Sequence, residues 1–163
     1  MQEAGAAALS DKPFAESCVE NRAPILAVLR EVFADRRHVL EIGSGTGQHA
    51  VYFAPELPHL TWQTADVPQH HAGIRLWLAE AALPNVLAPL ELDVNRTEWH
   101  SGRYDAVFSA NTLHIMSWPE VERLFAGIGA VLESGGVLAI YGPFNINGAF
   151  TSESNARFDA WLK

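Results

Sequence analysis

His38-Val39-Leu40-Glu41-Ile42-Gly43-Ser44-Gly45-Thr46-Gly47-Gln48-His49 is the stretch that decides the fold. His38 to Ile42 reads as a strand, and the glycines Gly43, Gly45 and Gly47 end it. A short helix from Ala50 to Ala54 follows, stopped by Pro55. Glycine at a strand end permits a tight turn and lets a ligand meet bare backbone. A helix after such a turn directs unpaired N–H groups at the same space. Three glycines at alternate positions exceed what a plain strand–turn–helix connection needs.

Outward from this stretch, short apolar runs alternate with helical periodicity, which is how βαβ units are written. Upstream, Pro24 marks a first helical turn, and Ile25, Val28, Leu29, Val32 and Phe33 form its stripe. Downstream, Leu60 to Ala65 is a strand ending at Asp66, and a helix runs through Ile74, Trp77, Leu78 and Ala81. Val86 to Leu92 is a third strand ending at Asp93, with Pro89 suited to a sheet edge. Tyr104 to Ser109 is the fourth. Ser117 and Glu120 form a capping box, Pro119 lies in the first turn, and Val121, Leu124, Phe125, Ile128 and Leu132 make the stripe. Gly135-Gly136 is read as the stop of that helix. Val137 to Tyr141, apolar throughout, reads as a central fifth strand. Right-handed crossovers then give an α/β fold with a doubly wound, mostly parallel sheet.

The 163 residues suit one domain, with residues 1–20 as a mobile N-terminal segment and 21–163 as the folded part. A net charge of −8 argues against bulk nucleic-acid binding, which needs clustered Lys and Arg. Cys18 is the single cysteine, so no intrachain disulfide forms and a reducing compartment is expected. Without a secretory signal or a membrane-length apolar run, the expected location is cytoplasmic. The five tryptophans are read as core and helix packing.

The ligand follows from what surrounds the glycines. A nicotinamide fingerprint would place its third glycine at position 48, where this chain has Gln48. The Gly-Lys-Ser/Thr of a phosphate loop is absent, and no Lys or Arg lies beside the turn. Glu41, Asp66 and Asp93 instead put an acid at the end of each of the first three strands. Asp66 stands where a carboxylate accepts ribose hydroxyls, and Asp93 where one receives the amino group of a base. A cationic nucleoside suits such a rim; a pyrophosphate does not.

These motifs resemble those of the class I S-adenosylmethionine-dependent methyltransferases. Glu20-Asn21-Arg22-x-Pro24-Ile25, Asn111-Thr112-Leu113-His114-Ile115-Met116, Tyr141-Gly142-Pro143-Phe144 and Thr151-Ser152-Glu153-Ser154-Asn155 narrow the likeness to the methyltransferase-like 26 family. The resemblance implies a Rossmann-like methyltransferase fold and S-adenosyl-L-methionine as cofactor. It implies that Glu41, Gly43, Ser44, Gly45, Thr46 and Gly47 surround the methionine part, Asp66 and Val67 the ribose, and Asp93 and Val94 the adenine. Asn111 would approach the methionine end. The sheet of that fold normally has two further strands beyond the fifth. Their absence here makes a truncated domain, or a fifth-strand edge covered by another chain, the expectation.

Methyl transfer from a sulfonium is an in-line displacement that rests largely on positioning. A general base is needed only where the acceptor loses a proton in the step. His114 is the candidate base, with a half-buried structural histidine as the alternative reading. Tyr141, Phe144, Asn145 and Asn147 are placed in a pocket for a small-molecule acceptor. Asn21 and Arg22 are expected to fold over the cofactor, with Arg22 near its carboxylate. His70-His71 reads as a solvated helix start, and no metal site is expected. Two other classes stay open: a non-catalytic binding or scaffold protein of the same fold, and an NAD-dependent oxidoreductase.

Overall fold

A computed structural model describes residues 12–96, 98–99 and 102–162. Most of the stretch expected to be a mobile N-terminal segment lies outside the described residues. The elements run α1 (Glu16–Val32), β1 (His38–Ile42), α2 (Gln48–Phe53), β2 (Thr61–Asp66), α3 (Pro68–Ala81), β3 (Val86–Glu91), β4 (Tyr104–Ala110), α4 (Trp118–Val131), β5 (Leu132–Tyr141) and α5 (Glu153–Leu162). Single 3-10 turns follow α2 and β4. The five strands lie in the order β3-β2-β1-β4-β5, with every pairing parallel. The reversal of order between β1 and β4 is the switch point beside which ligands sit in open α/β sheets.

β1 shows why the sheet is buried on both faces. Its side chains alternate, so Val39 joins one apolar layer while Leu40 and Ile42 join the other. The first layer holds Ile25, Leu26, Leu29 and Phe33 from α1 and its end, Phe53 from α2, and Trp62 and Phe108 from the sheet. The second holds Leu124, Ile128 and Val131 of α4 against Leu40, Ile42 and Val107. Burying a side chain of this size stabilises the fold by about 1.5–3 kcal/mol. Pro89 sits on the outer strand β3, where its missing N–H costs no ladder bond, and the β2–β3 register shifts beside it.

Four expectations are corrected. First, α1 starts at Glu16, and Pro24 lies inside it rather than in its first turn. The preceding turns are held by tertiary contacts, notably buried Asn21, which outweigh the proline's lost hydrogen bond. Second, α4 ends at Val131 and the chain turns extended at Leu132 without glycine. Gly135, with φ +78°, instead lies in an irregularity where Tyr104↔Leu132 is followed by Ala106↔Val137. Third, β5 is the outermost strand, paired with β4 alone among the described residues. Its apolar run reports contact with the flanking layers, where Val137 and Ala139 pack on one side and Leu138 on the other. Fourth, the helical stripes and the tryptophan reading were too broad. Val28 and Phe125 are largely exposed, and so are Trp118 and Trp161.

Candidate functional site

The turn after β1 takes its shape from left-handed backbone that side chains resist. Gly43 and Gly45 have φ +74° and +58°. A Cβ on Gly43 would come within 2.4 Å of the Thr112 hydroxyl, so the loop after β4 seats directly on this glycine. A Cβ on Gly45 would meet nothing within 4 Å: its face is open. The turn's amides are largely spent within the protein. Gly43 and Ser44 donate to Ala65 O at 2.9 and 3.1 Å, and Gly47 donates to Ser44 O at 2.9 Å. The cradle therefore offers close backbone approach rather than an array of free donors, which is poor for a pyrophosphate.

Asp66, at the end of β2, reaches this turn. Its Oδ2 accepts the Gly45 N–H at 2.7 Å, and its Oδ1 accepts the Val67 N–H at 2.7 Å. His70 places Nδ1 2.9 Å from Oδ1, and His71 Nε2 lies 2.9 Å from the Asp66 carbonyl oxygen. The two histidines read as a solvated helix start thus both fold back on Asp66. The i+4 spacing from Asp66 to His70 was the available signal. Among the described residues no three His, Cys, Asp or Glu are grouped to hold a metal ion.

Glu41 lies beneath the turn rather than facing open space. It is 2% exposed, and Oε2 accepts the Ser44 hydroxyl and the Trp62 indole N–H, each at 3.0 Å. Burial pushes its carboxyl up to about 7; the bonds from Trp62 and Ser44 pull it down, and Asp66 adds to the rise. Thr46 Oγ1 bonds the Gln48 side chain at 3.0 Å. Gln48 in turn receives the Ala15 N–H at 2.6 Å and donates to Ala15 O at 3.4 Å. Position 48, where the nicotinamide pattern wants glycine, thus carries an amide that clamps the segment before α1.

That segment has further anchors. Trp77 donates its indole N–H to Pro13 O at 2.7 Å, Pro13 packs where Gly73 lacks a side chain, and Lys12 pairs with Glu80 over the Trp77 ring. Asn21 and Arg22, expected over the cofactor, have other partners. Asn21 Oδ1 lies 2.7 Å from His49 Nε2 in the core, and the Arg22 guanidinium stacks 4.4 Å over Tyr52. Burial holds the His49 imidazole down at about 4.

At the end of β3, Asp93 accepts the Asn95 N–H at 2.9 Å and stands with Val94 on a cleft of about 1000 Å³ that reaches Gly127 of α4. After β4, Asn111 has φ +55° and donates its N–H to Tyr141 O at 2.9 Å, which ties the β4 and β5 ends together. His114, Tyr141 and Phe144 come together with Leu113, Met116 and Trp118 around a second cavity of about 250 Å³. Asn145 is exposed and lies outside its lining, as does Asn147. Burial lowers the His114 imidazole below its ordinary value, so it is neutral at pH 7. Its ring meets Phe158 of α5 edge-on, 5.3 Å between centroids.

The switch-point turn, the acid after β2 and the sheet order define a Rossmann-like methyltransferase fold. An O-methyltransferase family protein from Burkholderia thailandensis matches with a TM-score of 0.75 at 23% identity, over 89% of this chain and 45% of that one. The S-adenosylmethionine-dependent methyltransferase SibL, in its apo form, matches with a TM-score of 0.76 at 25% identity, over 88% and 41%. PigF with SAH matches with a TM-score of 0.71 at 24% identity, over 90% and 49%. The chain spans less than half the length of each of these proteins. Residues 12–163 match the family described as "Protein of unknown function (DUF938)", and the chain belongs to that family.

Proposed function

We propose that the chain is an S-adenosyl-L-methionine-dependent methyltransferase, of the methyltransferase-like 26 kind, acting on a small-molecule acceptor. One observation carries this reading: the Asp66 carboxylate lies 2.7 Å from the amide of Gly45, whose outer face is open. A carboxylate beside bare backbone at a parallel sheet's carboxyl edge suits a ribose diol with its substituent laid on the turn. The cofactor, when bound, supplies an electrophilic methyl group on a sulfonium. The turn Gly43–Gly47 and the loop at Asn111 would hold its methionine end, Asp66 its ribose hydroxyls, and Asp93 with Val94 its adenine. Lys12 to Ala15, clamped by Gln48 and Trp77, would steady the turn from outside. Neutral His114 would accept a proton from an acceptor that must lose one. The edge of β5 that no strand covers among the described residues supports self-association through that strand.

The test is thermal unfolding with S-adenosylhomocysteine and, separately, with NAD. A ligand at a hundred times its Kd adds about 2.7 kcal/mol to native stability. Stabilisation by S-adenosylhomocysteine alone is expected, and Asp66→Ala should lower that affinity at least tenfold. Stabilisation by NAD instead, or an affinity indifferent to Asp66, removes the reading. Transfer of labelled methyl groups to a cell extract separates an enzyme from a non-catalytic binder.

A further inference from the structure

The cavity of about 250 Å³ beside the cofactor turn has a chemistry narrow enough to name its occupant's class. Its wall combines Leu113, Met116, Val121 and Pro143 with the rings of Trp118, Tyr141 and Phe144. Among the described residues no Lys, Arg, Asp or Glu lines it, and His114 and Tyr141 carry its only ionisable groups. His114 is uncharged at pH 7 because burial resists its protonation, and Phe158 packs on its ring. A charged ligand here would lie against apolar and aromatic surface and meet no counter-ion among the lining residues. Sites for drug-sized ligands run from about 300 to 1,000 Å³, so this one suits a single ring system. Three aromatic side chains favour a planar guest, which gains from offset and edge-on ring contacts. The cavity is also in the right place. Leu113 and His114 directly follow Thr112, whose hydroxyl seats on Gly43, and Tyr141 O holds the Asn111 amide.

We infer that the methyl acceptor is a compact, uncharged, planar aromatic molecule bound between α4, the loop after β5 and His114. This rests on the methyltransferase reading for the word acceptor; the binding chemistry stands on the cavity alone. Phenol is the probe, with benzoate and benzylamine as charged counterparts of similar size. Binding is read at pH 7.5 by tryptophan fluorescence, which Trp118 in the wall reports, and by ligand-detected NMR. Phenol should bind at least tenfold more tightly than either ion. Val121→Lys places an ammonium in the wall. It should weaken phenol at least tenfold and let benzoate overtake it, a reversal that a merely loosened cavity would not produce. Phe144→Ala, in an exposed loop, should weaken phenol with no gain for benzoate, and serves if the lysine variant does not fold. S-adenosylhomocysteine binding is measured on each protein. Its absence in the parent with phenol binding intact removes the methyltransferase reading and leaves the pocket. Equal binding of the three probes, or phenol binding unmoved by both variants, overturns the inference.

Discussion

Glu41 and His49 sit in one apolar layer and respond to pH in opposite directions. The Glu41 carboxyl titrates near 7 in the native protein against 4.5 unfolded. The unfolded chain therefore releases this proton first, and stability falls as pH rises from 4.5 to 7, by about 3 kcal/mol, then levels off. His49 titrates near 4 against 6.5 unfolded. The unfolded chain takes up that proton first, and stability falls as pH drops from 6.5 to 4, by a similar amount. Glu41→Gln keeps an acceptor for the Trp62 indole and should abolish the loss on the alkaline side. Urea unfolding of both proteins at pH 4.5 and pH 8 checks this. The variant's advantage should grow by about 3 kcal/mol between the two, and an advantage that stays constant contradicts the assignment. Glu41 was legible in the sequence as an acid at a strand end. That it points inward was not, because its partner Trp62 lies on the neighbouring strand.

At the scale of elements, local signals read well and signals needing a tertiary partner did not. The capping box of α4 is present, with Glu120 receiving both the backbone N–H and the hydroxyl of Ser117 at 2.8 Å. Its parts lie within four residues, so the sequence displays the whole device. Ser117→Ala should cost about 1 kcal/mol of stability, measured by urea unfolding. Pro24 was misleading because the turns before it gain their stability from Gln48 and His49, more than twenty residues away. Gln48→Ala should free the segment before α1. Amide hydrogen exchange at Phe14 to Ser17 should quicken at least tenfold while α4 stays protected; unchanged exchange there contradicts the clamp. The glycines at 135 and 136 mark an irregularity rather than a helix stop, which depends on how β5 meets β4.

For the whole molecule, the side of β5 turned away from β4, which no strand covers among the described residues, is the feature with the largest consequence. β5 runs ten residues from Leu132 to Tyr141 and pairs with β4 alone among the described residues, leaving backbone donors and acceptors for another strand. Sedimentation velocity across a concentration series should show self-association, and Ile140→Lys should reduce it; a monomer at every concentration contradicts this. The parallel sheet, its helices and the turn at Gly43 to Gly47 were written in the sequence by itself. Apolar period and glycine conformational freedom act over a few residues and need no distant partner to be recognised. Only the tertiary structure decided that Glu41 lies under the turn, that Gln48 clamps the chain before α1, and that Asn145 and Asn147 stay outside the cavity lined by His114, Tyr141 and Phe144. Those facts depend on which side chains the folded sheet brings within hydrogen-bonding and van der Waals distance, and separation along the chain carries no measure of that.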